Sequence, residues 1–191
     1  MARSTRGRGL IAKDPIHVRL MKRVETTPAL NPGVGLLRRV AEPLTGSPAR
    51  TRALQGNWTG HAIHPPLTDV PIGAWVSASL LDLLGGRSAR PAATRLIGLG
   101  ILATVPTVLT GLAEWRSIDP ESQRVGVLHA SVNSVALSLY TASWFARHRD
   151  RHGNGVLLAL AGGSVAGLGA YLGGHLTEVR KISTRHPGFD R

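Results

Sequence analysis

Four apolar runs, too long and too uncharged to form the covered face of soluble helices, constrain this chain more than any other feature. They span residues 67–84, 94–113, 127–146 and 155–176, and Lys, Arg, Asp and Glu occur in them only near the ends. A helix of roughly 18–22 residues, rising about 1.5 Å per residue, crosses a hydrocarbon core about 30 Å thick. A soluble four-helix bundle would instead need a stripe rich in Lys and Glu on every helix. These runs carry Ser, Thr and Gly there. The sequence therefore reads as all-α: an integral-membrane four-helix bundle over residues 60–178. A basic, largely irregular N-terminal arm precedes it over residues 1–59, and a basic tail follows over 179–191.

Charge supports the same reading. The chain has 23 Lys and Arg against 11 Asp and Glu, a net charge of +12. That excess would ordinarily point to nucleic acid, but the cations avoid the apolar runs and gather in the arm and between the runs. No zinc-finger spacing, RNP-type aromatic motif or basic heptad helix accompanies them, so nucleic acid is not an expected partner. Basic flanks beside apolar spans are what anionic lipid selects. With no cysteine, disulfides, thiolate metal sites and cysteine nucleophiles are excluded. No apolar segment follows the basic start, so a cleaved signal peptide is not expected, and Arg38-Arg39 does not read as a twin-arginine signal. Proline and glycine recur through the arm, its first couple of dozen residues are expected to be poorly ordered, and a short surface helix is expected over 36–44. Counting the arm, the positive-inside rule puts both termini in the cytoplasm.

Helical spacing then sorts the polar residues. Gly100, Thr104, Thr107, Gly111 and Glu114 share one face of the second run, and His129, Asn133, Ala136 and Tyr140 share one face of the third. His64, Thr68, Pro71, Trp75, Ala78 and Asp82 align if the first helix starts at Pro65; with Asp69 as N-cap, His64 lies in the preceding loop. In the fourth run Gly163, Gly167, Ala170 and Gly174 form a candidate packing seam. Trp58, Trp75, Trp115 and Trp144 are read as an aromatic belt, and Asp82 as an interfacial partner of Arg87. Because spans alternate in direction, His61, His64, Asp69, Glu114, His129 and His175 all fall at one membrane face.

The elements Gly60-His61-Ala62-Ile63-His64-Pro65, Asp69 to Trp75, Thr110 to Trp115, Val127 to Ala130 and Gly169 to Leu176 resemble the DUF2231 family of predicted bacterial membrane proteins over about residues 57–178. The resemblance implies a four-helix membrane domain in the bacterial cytoplasmic membrane. Relatives that carry an appended Rieske domain imply electron transfer near this module, with a Rieske-type or other redox protein as partner. Where family members continue after Gly-Gly-His-Leu with a tyrosine and a His-Gly-Val-Gly-like stretch, this chain reads Thr177-Glu178-Val179-Arg180-Lys181.

The histidines admit several chemistries. Neutral imidazoles from two helices can ligate haem b, for which His129, His175 and then His64 are the candidate ligands, with Trp115 or an arginine near the propionates. A zinc or non-haem iron site would draw on His61, His64, Asp69, Glu114, His129 and His175. Ion or proton handling is a further option. The alternative is a structural or interaction protein with no cofactor, in which these groups cap helices and bridge spans. No nucleophile elbow or phosphate loop is present, so the reading leans away from an enzyme, with a redox subunit at most. A homo-oligomer stays open.

Overall fold

The computed structural model describes residues 14–183. Seven α-helices are found among them: α1 (Ile16–Thr26), α2 (Asn31–Thr45), α3 (Pro48–Leu54), α4 (His64–Leu84), α5 (Arg90–Trp115), α6 (Pro120–His148) and α7 (His152–Gly174). The last runs on into a π-turn over His175–Val179. Helices α4 to α7 are the four long apolar ones, each of a length and composition that crosses a bilayer.

Proline starts these helices rather than breaking them. Pro65 and Pro66 open α4, Pro91 opens α5 and Pro120 opens α6, at positions whose N–H would have no intrahelical partner in any case. Asp119 caps α6, accepting from the Ser122 backbone N–H at 3.0 Å. Pro71, inside α4, does remove a backbone bond and frees the Leu67 carbonyl. Thr107 on α5 donates its hydroxyl to that carbonyl at 3.2 Å, satisfying from a neighbouring helix what proline left open.

The spans pack as two antiparallel hairpins, α4 on α5 and α6 on α7. Trp75 of α4 stacks on Tyr140 of α6, with ring centroids 3.9 Å apart and planes 13° apart. Ala78, Ala93, Ile97 and Ala159 surround that stack. The Trp75 indole donates to the Ile97 carbonyl at 3.3 Å. Trp75 therefore lies in the bundle core and not in an interfacial belt, because the stripe it shares with Pro71 and Ala78 faces inward. Leu80, Leu84, Leu102, Val105, Leu157 and Leu168 cover the outside, as a lipid-facing surface requires.

The small-residue seam of α7 differs from the expected one. Gly155, Ala159, Gly162 and Gly169 are buried, whereas Gly167 and Ala170 are exposed. Glycine is spread around this helix, so its spacing does not choose a face; the bulky partners on α6 do. A Cβ on Gly162 would come within 3.2 Å of the Tyr140 ring, and one on Gly169 would collide with Asn133.

The arm is more ordered than expected. Residues 1–13 lie outside the described residues, but from Ile16 onward the arm is largely helical, and the helix anticipated over 36–44 spans Asn31–Thr45. Pro32 and Pro48 start α2 and α3. α1 buries Met21 against Val125 and Leu172, beside Val24, Leu128 and Leu176. Arg124 of α6 clasps the arm, donating to the Asn31 side chain at 3.0 Å and to the Glu25 carbonyl at 2.9 Å. Tertiary burial of one apolar face outweighs the weak local propensity of a Pro- and Gly-rich segment.

Candidate functional site

His64 is the first residue of α4, placed by the turn that leaves the arm. Its Nδ1 lies 2.9 Å from the Thr107 carbonyl oxygen of α5. A carbonyl only accepts, so this nitrogen carries a proton, and Nε2 presents a lone pair when the ring is neutral. His129 of α6 repeats the arrangement with α7: its Nδ1 lies 2.9 Å from the Gly169 carbonyl oxygen. When this ring is neutral its Nε2 likewise presents a lone pair, with the Asn133 amide nitrogen 3.1 Å away and shared with the His129 carbonyl oxygen at 3.0 Å.

Both rings lie against glycine. A Cβ on Gly111 would stand 2.7 Å from Cε1 of His64, and one on Gly173 would stand 3.1 Å from Cε1 of His129. Any larger residue at Gly111 would push the His64 imidazole off its carbonyl. The bundle thus sets two imidazoles from helices of different hairpins at one end, each donating Nδ1–H to the main chain of a neighbouring span.

The other candidate residues go elsewhere. Nε2 of His175 lies 2.8 Å from the Glu25 carboxylate, with Arg180 3.9 Å from the same oxygen, so this histidine ties the end of α7 to α1. His61 is exposed and its Nδ1 lies 2.9 Å from the adjacent Ala62 carbonyl oxygen. Asp69 is exposed on α4 and is not its N-cap; it has no hydrogen bond or ion pair among the described residues. Glu114 is buried, accepts from the Ser183 hydroxyl and faces the His64 backbone N–H, so it covers the open start of α4. Its second oxygen, Oε1, is buried without a partner among the described residues. Trp115, considered for an interfacial role, is buried and donates to the Gln123 carbonyl at 3.0 Å. Among the described residues no three His, Asp or Glu side chains are grouped to hold a metal ion.

At the opposite end of the bundle the structure holds a polar centre that the stripe analysis stopped short of. Arg147 grips Asp82 in a two-pronged pair at 2.9 and 2.5 Å, with both side chains 1% exposed. Its Nε donates to Ser143 at 3.1 Å, and Ser143 donates to the Gly155 carbonyl at 2.6 Å. His152 stands 3.4 Å from the other side of Asp82. The partner of Asp82 is thus Arg147 and not Arg87. Continuing the third-run stripe from Tyr140 by three and seven residues would have reached Ser143 and Arg147.

Compared with known families, residues 60–186 match the model described as a predicted membrane protein, DUF2231. That match covers most of the chain, which belongs to this family. No curated protein and no solved structure matches it.

Proposed function

We propose that this family member is a haem b-carrying electron-transfer subunit of the bacterial cytoplasmic membrane, with His64 and His129 as the axial ligands through Nε2. One observation carries the reading: both imidazoles donate Nδ1–H to a main-chain carbonyl of a neighbouring span, which aims a lone pair on the opposite nitrogen. That is the arrangement by which proteins orient ligating histidines. The donor set fits a haem better than zinc, because an axial pair needs two residues whereas a zinc site needs three or four from the protein. Bound there, a haem would supply one-electron chemistry. The residues of this chain orient both rings through their Nδ1–H bonds and half-bury them within the bundle. His175, engaged by Glu25, serves the arm instead.

The placement at one membrane face leaves the arm and the tail beside the site. α1 packs on α6, and Arg180 reaches Asp119 at 2.7 Å, so both ends of the described chain meet the same end of the bundle. With the cations of the arm, this supports a cytoplasmic location for that end. A Rieske-type or other redox protein docking there would exchange electrons with the site. A specific observation also favours the cofactor-free alternative: the same two bonds join α4 to α5 and α6 to α7 and would hold each hairpin together unaided.

The test is a reduced-minus-oxidised visible spectrum of the full chain, purified in mild detergent from haem-replete cells. The reading expects one b-type haem per chain, lost in His64→Ala and His129→Ala with helical circular dichroism retained, and kept in His175→Ala. A featureless spectrum of the unaltered chain would overturn it and leave the structural reading.

A further inference from the structure

Between the α4–α5 turn and the start of α7 lies an open cleft of about 560 Å³, at the end of the bundle away from the histidine pair. Its wall is basic: Arg87, Arg90 and His152 line it, with Asn154 beside them. The one acid in the wall, Asp82, is already neutralised by Arg147. Arg90 is close enough for its charge to act on His152. Neither Arg87 nor Arg90 has an ion pair or a side-chain hydrogen bond among the described residues, and both are exposed. Cations concentrated in a cleft and left without acids are an anion site awaiting its anion.

The cleft is not polar throughout. Along α7 its lining passes from His152 and Asn154 to Val156 and Leu157, and Leu157 is 68% exposed on the outer surface of the span. Polar and cationic groups at a helix end, continued by exposed apolar side chains one turn further into the membrane, match a molecule with an anionic head and a hydrocarbon tail. A soluble anion would use only the upper part.

We propose that this cleft binds the phosphate headgroup of one anionic membrane lipid, with Arg87 and Arg90 as the phosphate donors and Leu157 against the first carbons of the acyl chain. Basic pockets between spans at the membrane surface bind anionic headgroups in this manner, and arginine's forked donors suit phosphate oxygens. The Asp82–Arg147 pair keeps the one carboxylate in the cleft lining from competing for those arginines. The site is separate from the histidine pair and stands whether or not a haem binds.

Native mass spectrometry of the full chain in detergent, titrated with phosphatidylglycerol or phosphatidylcholine, tests this. The expected result is one phosphatidylglycerol per chain, retained under activation that strips phosphatidylcholine. Removing two cations near the headgroup in Arg87→Gln/Arg90→Gln should weaken that binding about thirtyfold. A matched change of charge at the other end, Arg50→Gln/Arg116→Gln, should change it less than about threefold. Equal losses in both doubles would overturn the proposal in favour of bulk charge. Equal retention of the two lipids would also overturn it. Displacement of phosphatidylglycerol by millimolar inorganic phosphate would overturn the lipid assignment in favour of a soluble anion.

Discussion

The Asp82–Arg147 pair provides the sharpest test of how this bundle holds together. Both side chains are 1% exposed and bonded at 2.9 and 2.5 Å, so removing one leaves the other buried with only what the adjoining cleft admits. Breaking a buried pair from one side costs about 3–5 kcal/mol, whereas replacing both partners with apolar residues is often neutral. Here Asp82→Asn should cost about 3 kcal/mol, toward the lower end, because Ser143 still accepts from Arg147 Nε and the cleft beside the pair can admit water. The companion change Arg147→Met leaves Asp82 with His152 at 3.4 Å. That contact and the adjoining cleft keep the cost at about 3 kcal/mol, the lower end of the range. The double replacement Asp82→Leu/Arg147→Met should return to within about 1 kcal/mol of the parent, the residue being the lost Ser143 bond. The assay is reversible unfolding in mixed micelles titrated with dodecyl sulfate, followed by the fluorescence of the four tryptophans. A loss below about 1 kcal/mol for Asp82→Asn, or single effects that simply add in the double, would refute the argument.

Two further outcomes follow from local geometry. Gly169→Ala should destabilise by about 1–3 kcal/mol, because its Cβ collides with Asn133, whereas Gly167→Ala, with nothing within 4 Å, should be neutral or stabilise by up to about 1 kcal/mol in the same assay. Partial burial pushes the Asp119 carboxyl up, but the Ser122 N–H and hydroxyl and Arg180 outweigh it and hold the group well below the usual carboxylate range. A depressed pKa stabilises the fold fully above the unfolded value of about 3.9 and loses that contribution as pH falls below it. Asp119→Ala should therefore cost about 1 kcal/mol at neutral pH, with the gap from the parent closing progressively below about pH 4 in thermal melts.

The spans were legible because a bilayer imposes length and apolarity over some twenty residues at once, a signal no single residue can spoil. The inward faces of α4, α5 and α6 were legible for a related reason: a few polar groups on each helix must meet other protein, and their spacing marks the side. α7 lacked that marker. Between Gly155 and Gly174 it holds glycine, alanine, valine and leucine with only Ser164 and Tyr171 beside them, so the packed face was decided by Tyr140 and Asn133 on α6, which local reading of α7 does not contain. The arm failed differently. Its prolines are breakers by composition and helix starters by position, and only the α6 surface that buries Met21 distinguishes the two. His175 could be placed at the correct face but not with Glu25, 150 residues away, since such a pairing exists only once the arm folds back.

The two ends of the bundle handle polarity in opposite ways, and that contrast bears on function. At the cation-rich end Asp82 of α4 and Arg147 of α6 pair with each other, and Arg87 and Arg90 stand exposed at the surface. At the other end the deep polar groups are two imidazoles that donate Nδ1–H to main-chain carbonyls, beside a carboxylate with one oxygen unpaired among the described residues. Nε2 of His129 is met by the Asn133 amide at 3.1 Å, whereas Glu114 Oε1 has no partner among the described residues, an arrangement that costs free energy inside a membrane. The Asp82–Arg147 end shows that this chain can satisfy a buried charge on all sides. The spectra of the unaltered, His64→Ala and His129→Ala proteins test directly whether the histidine end holds haem.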